Sequence, residues 1–211
     1  MAGVRGQGRK FDTDAALDAA MLLFWRRGYE ATSVAMLTRA MGINPPSLYA
    51  AFGGKEEVFF AAVAHYNATR GNFIQRAFDE VPHTPALIRR MLYDAADAYA
   101  DTDCPGGCLI ISAAVGVAAG NQHVADRLRD MRNANIALLT DRLAADKAAA
   151  RIPPDVDPLT AAEFVGAVIQ GMSLRARDGV DVPGLQEIAG MACRALGFVP
   201  ELVGDGAIDL S

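Results

Sequence analysis

Cysteine, histidine and long apolar runs are scarce in this chain, and each scarcity excludes a class of protein. Three cysteines in 211 residues are too few for a disulfide framework. The three histidines are scattered and have no ligand spacing to the cysteines, so we expect no metal site. No apolar run approaches the ~20 residues of a membrane span, and the first ten residues lack the apolar core of a secretory signal. We therefore expect a cytoplasmic protein with no membrane partner.

The signature motifs of common enzymes are also missing. Gly53-Gly54-Lys55 ends like a phosphate-binding loop, but Tyr49 stands where the first glycine belongs and Glu56 where Ser or Thr belongs. No Gly-x-Ser-x-Gly or His-Glu-x-x-His motif occurs, and the N-terminal glycines precede any strand that a dinucleotide site would need. The sequence therefore predicts a protein that is not an enzyme and that has no cofactor.

The chain does contain many signals for the start and end of helices, and its composition is 52% hydrophobic and rich in alanine. Caps, glycine stops and apolar periodicity predict an all-α protein of about nine helices, with a small trio first. The predicted helices cover residues 12–28, 32–41, 44 onward, 55–77, 84–100, 108–119, 121–150, 157–179 and 185–196. We divide the chain into a small N-terminal domain, 1–55, and a larger helical domain, 56–211.

Charge is distributed unevenly between these two parts. The chain carries a net charge of -5, which by itself disfavours a nucleic-acid partner. Residues 1–55, however, contain seven basic and four acidic residues, for a net charge of +3, and the remainder carries -8. A cationic head on an acidic body is typical of a protein whose head approaches phosphate. Ordinary scatter of surface charge is the alternative interpretation.

A helix-turn-helix pattern lies within residues 32–49. Two short predicted helices meet across Met41-Gly42-Ile43, where glycine permits the positive φ of a tight interhelical turn. Leu37, Ile43 and Leu48 face inward in this interpretation. The arrangement leaves the N-terminal part of the third helix exposed, which is the part that enters the major groove in such motifs.

The same stretch resembles the N-terminal domain of the TetR (tetracycline-repressor-like) family. The residues that carry the resemblance are Thr32, Leu37, Gly42-Ile43, Leu48-Tyr49, Phe52 and Lys55-Glu56, all at the family spacing. It covers about the first quarter of the chain. One departure is Pro45-Pro46 in place of the usual small or polar pair, which removes two donors and stiffens the start of the third helix.

The pattern and the resemblance together give a predicted DNA-binding surface. The starts of the second and fourth helices offer N–H groups and a positive dipole to phosphates, and the exposed third helix faces the bases. Asn44 and Ser47 are the better polar candidates for reading bases, and the proline rings could touch a thymine methyl. The predicted DNA-binding residues are Thr32, Ser33, Asn44, Pro45, Pro46, Ser47, Tyr49 and Lys55, with Arg9 and Lys10 on a flexible N-terminal arm that also contains Arg5.

The resemblance further implies a mechanism and partners. A homodimer would pair through about residues 157–177 and 185–196, and its two heads would bind double-stranded palindromic DNA in successive major grooves. A small-molecule inducer entering the larger domain would tilt the fourth helix, spread the heads and release the operator. The predicted packing seam contains the apolar residues Phe164, Val168, Met172, Ile188 and Met191, with the small Gly166 and Gly171.

The inducer site is less specified than the DNA-binding surface. Large apolar and aromatic residues of the predicted helices are candidates to line a cavity, namely Phe78, Met91, Tyr93, Tyr99, Phe164 and Met172. Cys108 is a further candidate, because it stands at a helix N-terminus four residues after Cys104, where the helix dipole stabilises a thiolate. The alternative for Cys108 is a small buried hydrophobe.

Three functions therefore stay open. The first is a ligand-responsive transcriptional repressor. The second is a redox- or electrophile-sensing regulator of the same fold that uses Cys108. The third, from another class, is a helical enzyme or carrier whose pocket performs chemistry.

Overall fold

The computed structural model describes residues 12–197, and over this range every regular element is helical. Ten α-helices follow one another: α1 (Thr13–Arg27), α2 (Val34–Met41), α3 (Pro45–Phe52), α4 (Lys55–Ala68), α5 (Phe73–Glu80), α6 (Thr84–Tyr99), α7 (Leu109–Ser112), α8 (Gln122–Ala148), α9 (Pro158–Arg177) and α10 (Val182–Ala195). The all-α prediction with a small N-terminal trio is confirmed. None of the described helices has the length and apolar character needed to cross a membrane. The predicted arm residues Arg5, Arg9 and Lys10 lie outside the described range.

Two predicted helices differ from the structure. The helix expected over 55–77 is split into α4 and α5, because the Gly71 N–H donates to the Tyr66 carbonyl and the chain turns against the Tyr66 ring. A side chain at position 71 would collide with that ring. The helix expected over 108–119 is only α7, four residues long, and the chain then passes through Gly116 at a φ of +74°. Alanine-rich periodicity therefore overestimated helix length where tertiary contacts bend the chain.

Local capping explains why the N-terminal helices begin and end where they do. The Ser33 hydroxyl accepts a hydrogen bond from the Met36 N–H and starts α2. Gly42 closes α2 in the left-handed conformation, with φ +66°. The Asn44 side chain then accepts from the Ser47 N–H at 2.8 Å, and Pro45 occupies the first helical position of α3. We call α1–α3 the head.

The head packs through an aromatic core that includes α4. Phe24 of α1 meets the edge of Phe59 of α4 at a ring separation of 4.9 Å, and Tyr29 approaches the same ring at 5.1 Å. Leu37 of α2 and Leu48 of α3 are fully buried. Because Phe59 belongs to α4, any movement of α4 acts directly on the head.

The remaining helices, α5–α10, form what we call the body. Helix α6 lies against α5, α9 and α10, and α9 also packs along α8, whose 27 residues span about 40 Å. A buried carboxylate ties α6 to α8, since Asp146 accepts from the Thr84 N–H at 2.7 Å and from its hydroxyl at 2.6 Å. Arg151 pairs with the same carboxylate at 2.8 Å. This clamp holds the start of α6 against the end of α8.

Candidate nucleic-acid interface and regulatory cavity

The exposed start of α3 is the candidate nucleic-acid interface. The Ile43 N–H donates to the Thr38 carbonyl at 3.0 Å, which fixes the turn, and buried Leu48 anchors α3 beneath it. The outer surface of α3 then presents Asn44, Pro45, Pro46 and, one turn later, Tyr49. Tyr49 is 53% exposed, a large value for an aromatic residue of a short helix. The start of α3 thus presents an amide, two rings and a phenol to solvent.

The polar residues predicted on the second helix separate into two kinds. Ser33 is exposed at the N-cap of α2, where the first N–H groups of that helix face outward. Thr32, in contrast, is only 1% exposed, and its hydroxyl donates to the Gly28 carbonyl at 2.8 Å. Its side chain therefore joins α1 to α2 and is not presented to phosphate. The side-chain oxygen of Asn44 already accepts the capping hydrogen bond from the Ser47 N–H. The side-chain NH2 group of Asn44 is therefore the part that can donate to DNA.

Lys55 lies at the start of α4 and is partly enclosed by the head. Its Nζ is 4.2 Å from the centroid of the Tyr29 ring and 3.5 Å from the Glu30 carbonyl oxygen. Burial lowers the pKa of the Lys55 ammonium, and the nearby Glu30 carboxylate partly opposes this shift. Gly54 caps α4 without a side-chain hydrogen bond, so the first backbone N–H groups of α4 keep donor capacity.

Direct contacts join the head to the body beside this lysine. The Glu30 carboxylate accepts from the Ala118 N–H at 2.8 Å and from the Asn121 amide at 2.9 Å. These hydrogen bonds lower the pKa of the Glu30 carboxyl, and the bond from Asn121 has the larger effect. Nearby, the His123 Nε2 lies 2.9 Å from the Glu56 carboxylate. The segment before α8 and the first turn of α8 therefore contact both ends of the region that carries the helix-turn-helix.

The body encloses a cavity of about 410 Å³, within the range of small-molecule sites. Most of its wall is apolar, formed by Phe73, Ile74, Met91, Ile110, Ile111, Met131, Ile136, Leu139, Val165 and Ile169. Its polar side chains are Tyr66, Asn67, Asn72, Gln75, Tyr99, Cys108, Arg132, Asn135 and Gln170. A cavity that combines apolar walls with several polar side chains is suited to binding a small organic molecule that has both apolar and polar parts.

A cluster of hydroxyls surrounds the thiol of Cys108 in this cavity. The hydroxyls of Tyr66 and Tyr99 hydrogen-bond with the Cys108 sulfur. Burial raises the pKa of the Cys108 thiol despite these bonds, and burial likewise raises the pKa of both tyrosines. Cys104 is further from activation, because burial and the neighbouring Asp101 raise its pKa to about 11. The expected stabilisation of a Cys108 thiolate by the helix dipole is thus outweighed by desolvation.

The structure places three of the predicted cavity residues, Met91, Tyr99 and Cys108, in the cavity wall. Tyr93 lies on the opposite face of α6 from Met91, because two residues turn a helix by about 200°. There Tyr93 meets Arg89, with its hydroxyl near Gly190 of α10. The other three predicted residues are also outside the wall: Phe78 lies a turn beyond Ile74, Phe164 is exposed and Met172 is buried in the core.

Sequence reasoning missed Tyr66, Arg132 and the amides of the cavity. These residues come from helices α4, α5, α8 and α9, which are far apart along the chain. No local spacing joins them, and Arg132 stands among several arginines of α8 that look alike in the sequence. Only the packing of α8 against α9 identifies which of those arginines faces inward.

A helix-turn-helix head joined through one helix to a cavity-bearing helical body defines a class of protein, the DNA-binding transcriptional regulators. Comparison with known families agrees: residues 16–62 match the bacterial regulatory proteins of the tetR family, and residues 84–181 match the tetracyclin repressor-like C-terminal domain. The chain belongs to the TetR family. Its members are transcriptional regulators and not enzymes. The prediction of a TetR-family regulator and the prediction that the protein is not an enzyme are therefore both confirmed.

Individual relatives match over nearly the whole chain. The HTH-type transcriptional repressor ComR of Escherichia coli (strain K12) is 36% identical over 200 residues, or 94% of each chain. The repressor BdcR of the same organism is 31% identical over 199 residues, covering 94% of this chain and 95% of its own. Among solved structures, a cysteine mutant of the TetR-family regulator CifR, complexed with a 26-base-pair operator DNA, has a TM-score of 0.84 and 36% identity. That match covers 90% of this chain and 99% of CifR.

Proposed function

We propose that this chain is a transcriptional repressor that binds a palindromic operator as a homodimer and releases it when a small molecule fills the cavity. The names of ComR and BdcR as repressors and the operator complex of CifR support the DNA-binding part. The domain boundary at residue 55 stays a prediction, and it falls at the first residue of α4.

The release mechanism is supported by the course of α4, which runs from the head to the cavity. At its first turn, Lys55 and Phe59 contact Tyr29 of the head. In its last turn, Tyr66 and Asn67 line the cavity. The helix is 14 residues long, about 21 Å, and has no proline to bend it. A ligand that displaces Tyr66 therefore moves a rod whose other end is part of the head core.

The ligand must bind the spread state more tightly than the operator-bound state to act in this way. A ligand with equal affinity for the two states shifts nothing, and a near-complete shift requires a preference of about 5.5 kcal/mol. The Glu30 contacts with Ala118 and Asn121 belong to the same junction, so they are candidates to break or slide as the head moves.

Dimerisation through α9 and α10 is supported by an apolar outer face. Leu174 is 61% exposed and Met191 is 64% exposed. Phe164 and Gly171 lie on the same side of α9 as Leu174, and open space surrounds Gly171. Of the expected seam residues, Met172 belongs to the core of the single subunit, and Gly166 packs against Ile136 of α8. The proposed interface therefore uses the outward faces of α9 and α10.

The proposed DNA contacts start from the residues predicted in the sequence. Asn44, Pro45, Pro46 and Ser47 would face the major groove, and the phenol of Tyr49 would reach a backbone oxygen. The starts of α2 and α4, at Ser33 and Lys55, would hold phosphates by backbone N–H groups and charge. With two prolines at the reading end, affinity would depend strongly on phosphate contacts.

Operator binding tests this proposal directly. The full-length protein is titrated into fluorescently labelled DNA from upstream of its own coding region and from neighbouring promoters, with scrambled DNA as the control. We expect selective binding of a palindromic segment by two subunits, with affinity falling steeply as salt rises from 50 to about 200 mM. Failure to prefer any such segment over scrambled DNA would contradict the repressor assignment.

A second candidate, the thiol-sensing regulator, is favoured by one observation, the position of Cys108 in the cavity wall between two tyrosine hydroxyls. Its test is Cys108→Ser, with Cys193→Ser as the matched control on α10. Loss of operator release by an oxidant or electrophile in the first variant alone, with operator binding intact, would support this candidate. If Cys108→Ser still releases the operator as the wild type does, the thiol-sensing candidate is excluded and release by a non-covalently bound inducer is the remaining proposal.

A further inference from the structure

Arg132 is the one charged side chain among the described residues that line the cavity. The wall contains no Asp, Glu, Lys or His. The Arg132 Nη1 donates to the Ile110 carbonyl at 3.2 Å, and no ion pair within residues 12–197 includes this guanidinium. A guanidinium has five N–H donors, so most of the donor capacity of this cavity-lining residue is left without an acidic partner.

Some other arginines of this acidic chain do have carboxylate partners. Arg129, which precedes Arg132 by one turn on α8, contacts Asp126 at 2.7 Å and Asp130 at 3.3 Å. Arg151 near the same helix pairs with Asp146 at 2.8 Å. Within the described part of the chain, Arg127 and Arg142 of α8 also lack a carboxylate partner, but Arg127 lies over the Phe60 ring and Arg142 donates to three backbone carbonyls, and neither lines the cavity.

Partial burial of Arg132 makes its unpaired charge costly to the protein. Desolvation lowers the pKa of Arg132, and the neighbouring Arg129 acts in the same direction. Taking a charge partly out of water without a counter-charge costs free energy, and a bound anion would offset that cost. Arg132 and Cys108 both line this cavity.

We propose that the inducer is a small organic carboxylate, held by the guanidinium of Arg132 with its apolar portion against Met91, Ile136, Leu139 and Ile169. This inference rests on the proposed function, since it names the chemistry of the inducer. A guanidinium fork matches the two oxygens of a carboxylate. One cation in a wall with no other charged side chain balances a monoanion, whereas a phosphate dianion would leave an excess negative charge in the cavity.

The same geometry connects the anion to the head. Arg132, Cys108 and Tyr66 all line the cavity, and the Tyr66 hydroxyl, in the last turn of α4, hydrogen-bonds with the Cys108 sulfur. A carboxylate on Arg132 would therefore share the cavity with the end of the helix that reaches the head. Binding of the anion and displacement of α4 would then occur in one cavity.

Trp25 supplies a direct signal for cavity binding. It is the single tryptophan of the chain, and its ring is 5.0 Å from that of Tyr66. The indole N–H donates to the Gly106 carbonyl at 3.1 Å, which fixes its position. Tryptophan fluorescence is therefore measured while octanoate, hexanoate and phenylacetate, their primary amides and octyl phosphate are titrated into the full-length protein.

At least one carboxylate is expected to bind about tenfold or more tightly than its amide. Arg132→Gln should remove that preference, Arg132→Lys should retain part of it, and Arg129→Gln on the same helix should leave it unchanged. Equal affinity of every carboxylate and its amide, tighter binding of the phosphate, or an unchanged preference in Arg132→Gln would overturn the proposal. Thermal unfolding of each variant confirms that it is folded.

The same ligands are then added to the operator complex. Release of DNA by carboxylates but not by amides supports the proposal, and release by amides alone overturns it while leaving the repressor function intact. Absence of any operator binding overturns the proposed function, whereas the fluorescence preference still reports on Arg132.

Discussion

Side chains of similar chemistry in the helix-turn-helix have different environments. Tyr49 carries its hydroxyl on an exposed ring, whereas the hydroxyl of Thr32 is buried and bonded to the Gly28 carbonyl. Both residues belong to the family pattern, yet one faces solvent and the other joins two helices. Lys55 is intermediate, since its ammonium rests on the Tyr29 ring. At this scale, a pattern residue serves either DNA or the fold, and burial separates the two.

Tyr49 gives the prediction at the residue scale. Tyr49→Phe should weaken operator binding by removing one phosphate hydrogen bond per subunit, by about tenfold for the dimer, and Tyr49→Ala should weaken it further. The loss should be similar for all DNA sequences, because a phosphate contact does not read bases. Fluorescence anisotropy measures it, with Thr32→Val as the matched variant that should lower thermal stability. Unchanged operator affinity in Tyr49→Ala would contradict the proposed contact.

Contacts between helices place the cavity wall. The buried carboxylate of Asp146 holds the first residue of α6 against the last turn of α8, and both helices contribute to the wall. Burial by itself would raise the pKa of Asp146, but the hydrogen bonds from Thr84 and Arg151 outweigh it and hold that pKa below its ordinary value. The clamp is therefore a source of stability that depends on ionisation.

Asp146→Ala is the prediction at the scale of the element. Removing the acceptor leaves the buried Thr84 N–H without its partner, so the free energy of unfolding should fall by about 3 kcal/mol at neutral pH. Because the folded-state pKa is lowered, this stabilisation is present above the unfolded-state pKa, about 4, and is lost as the pH falls through the folded-state value. The difference between wild type and variant in urea unfolding should therefore shrink in acid. Exposed Asp141→Ala on α8 is the control, and an equal effect there would contradict the clamp.

The whole molecule is asymmetric in charge and in its apolar surface. Its first 55 residues carry a net charge of +3 and the rest carries -8, so only the N-terminal part of the chain has the net charge that phosphate attracts. Exposed apolar side chains gather on the outer faces of α9 and α10, in the body and away from the recognition helix. A dimer formed there would leave both helix-turn-helix heads free for one DNA duplex.

The prediction at this scale concerns the oligomeric state. Leu174→Arg combined with Met191→Arg should place charge in the proposed interface and convert the dimer to a folded monomer, as sedimentation would report. Operator affinity should fall by orders of magnitude, because each head would then bind alone. Val115→Arg, at a residue 78% exposed before α8, should leave the dimer intact. A double variant that still sediments as a dimer would place the interface elsewhere.

The sequence by itself determined the helix-turn-helix and the class of fold. Its caps at Ser33 and Asn44 and its turn at Gly42 act within a few residues, so their spacing specifies the local structure. The sequence did not determine where α4 ends, which tyrosines reach the cavity or that Arg132 lacks a carboxylate partner. Those features depend on contacts between helices far apart in the chain, and only tertiary packing decides which face of each helix is buried.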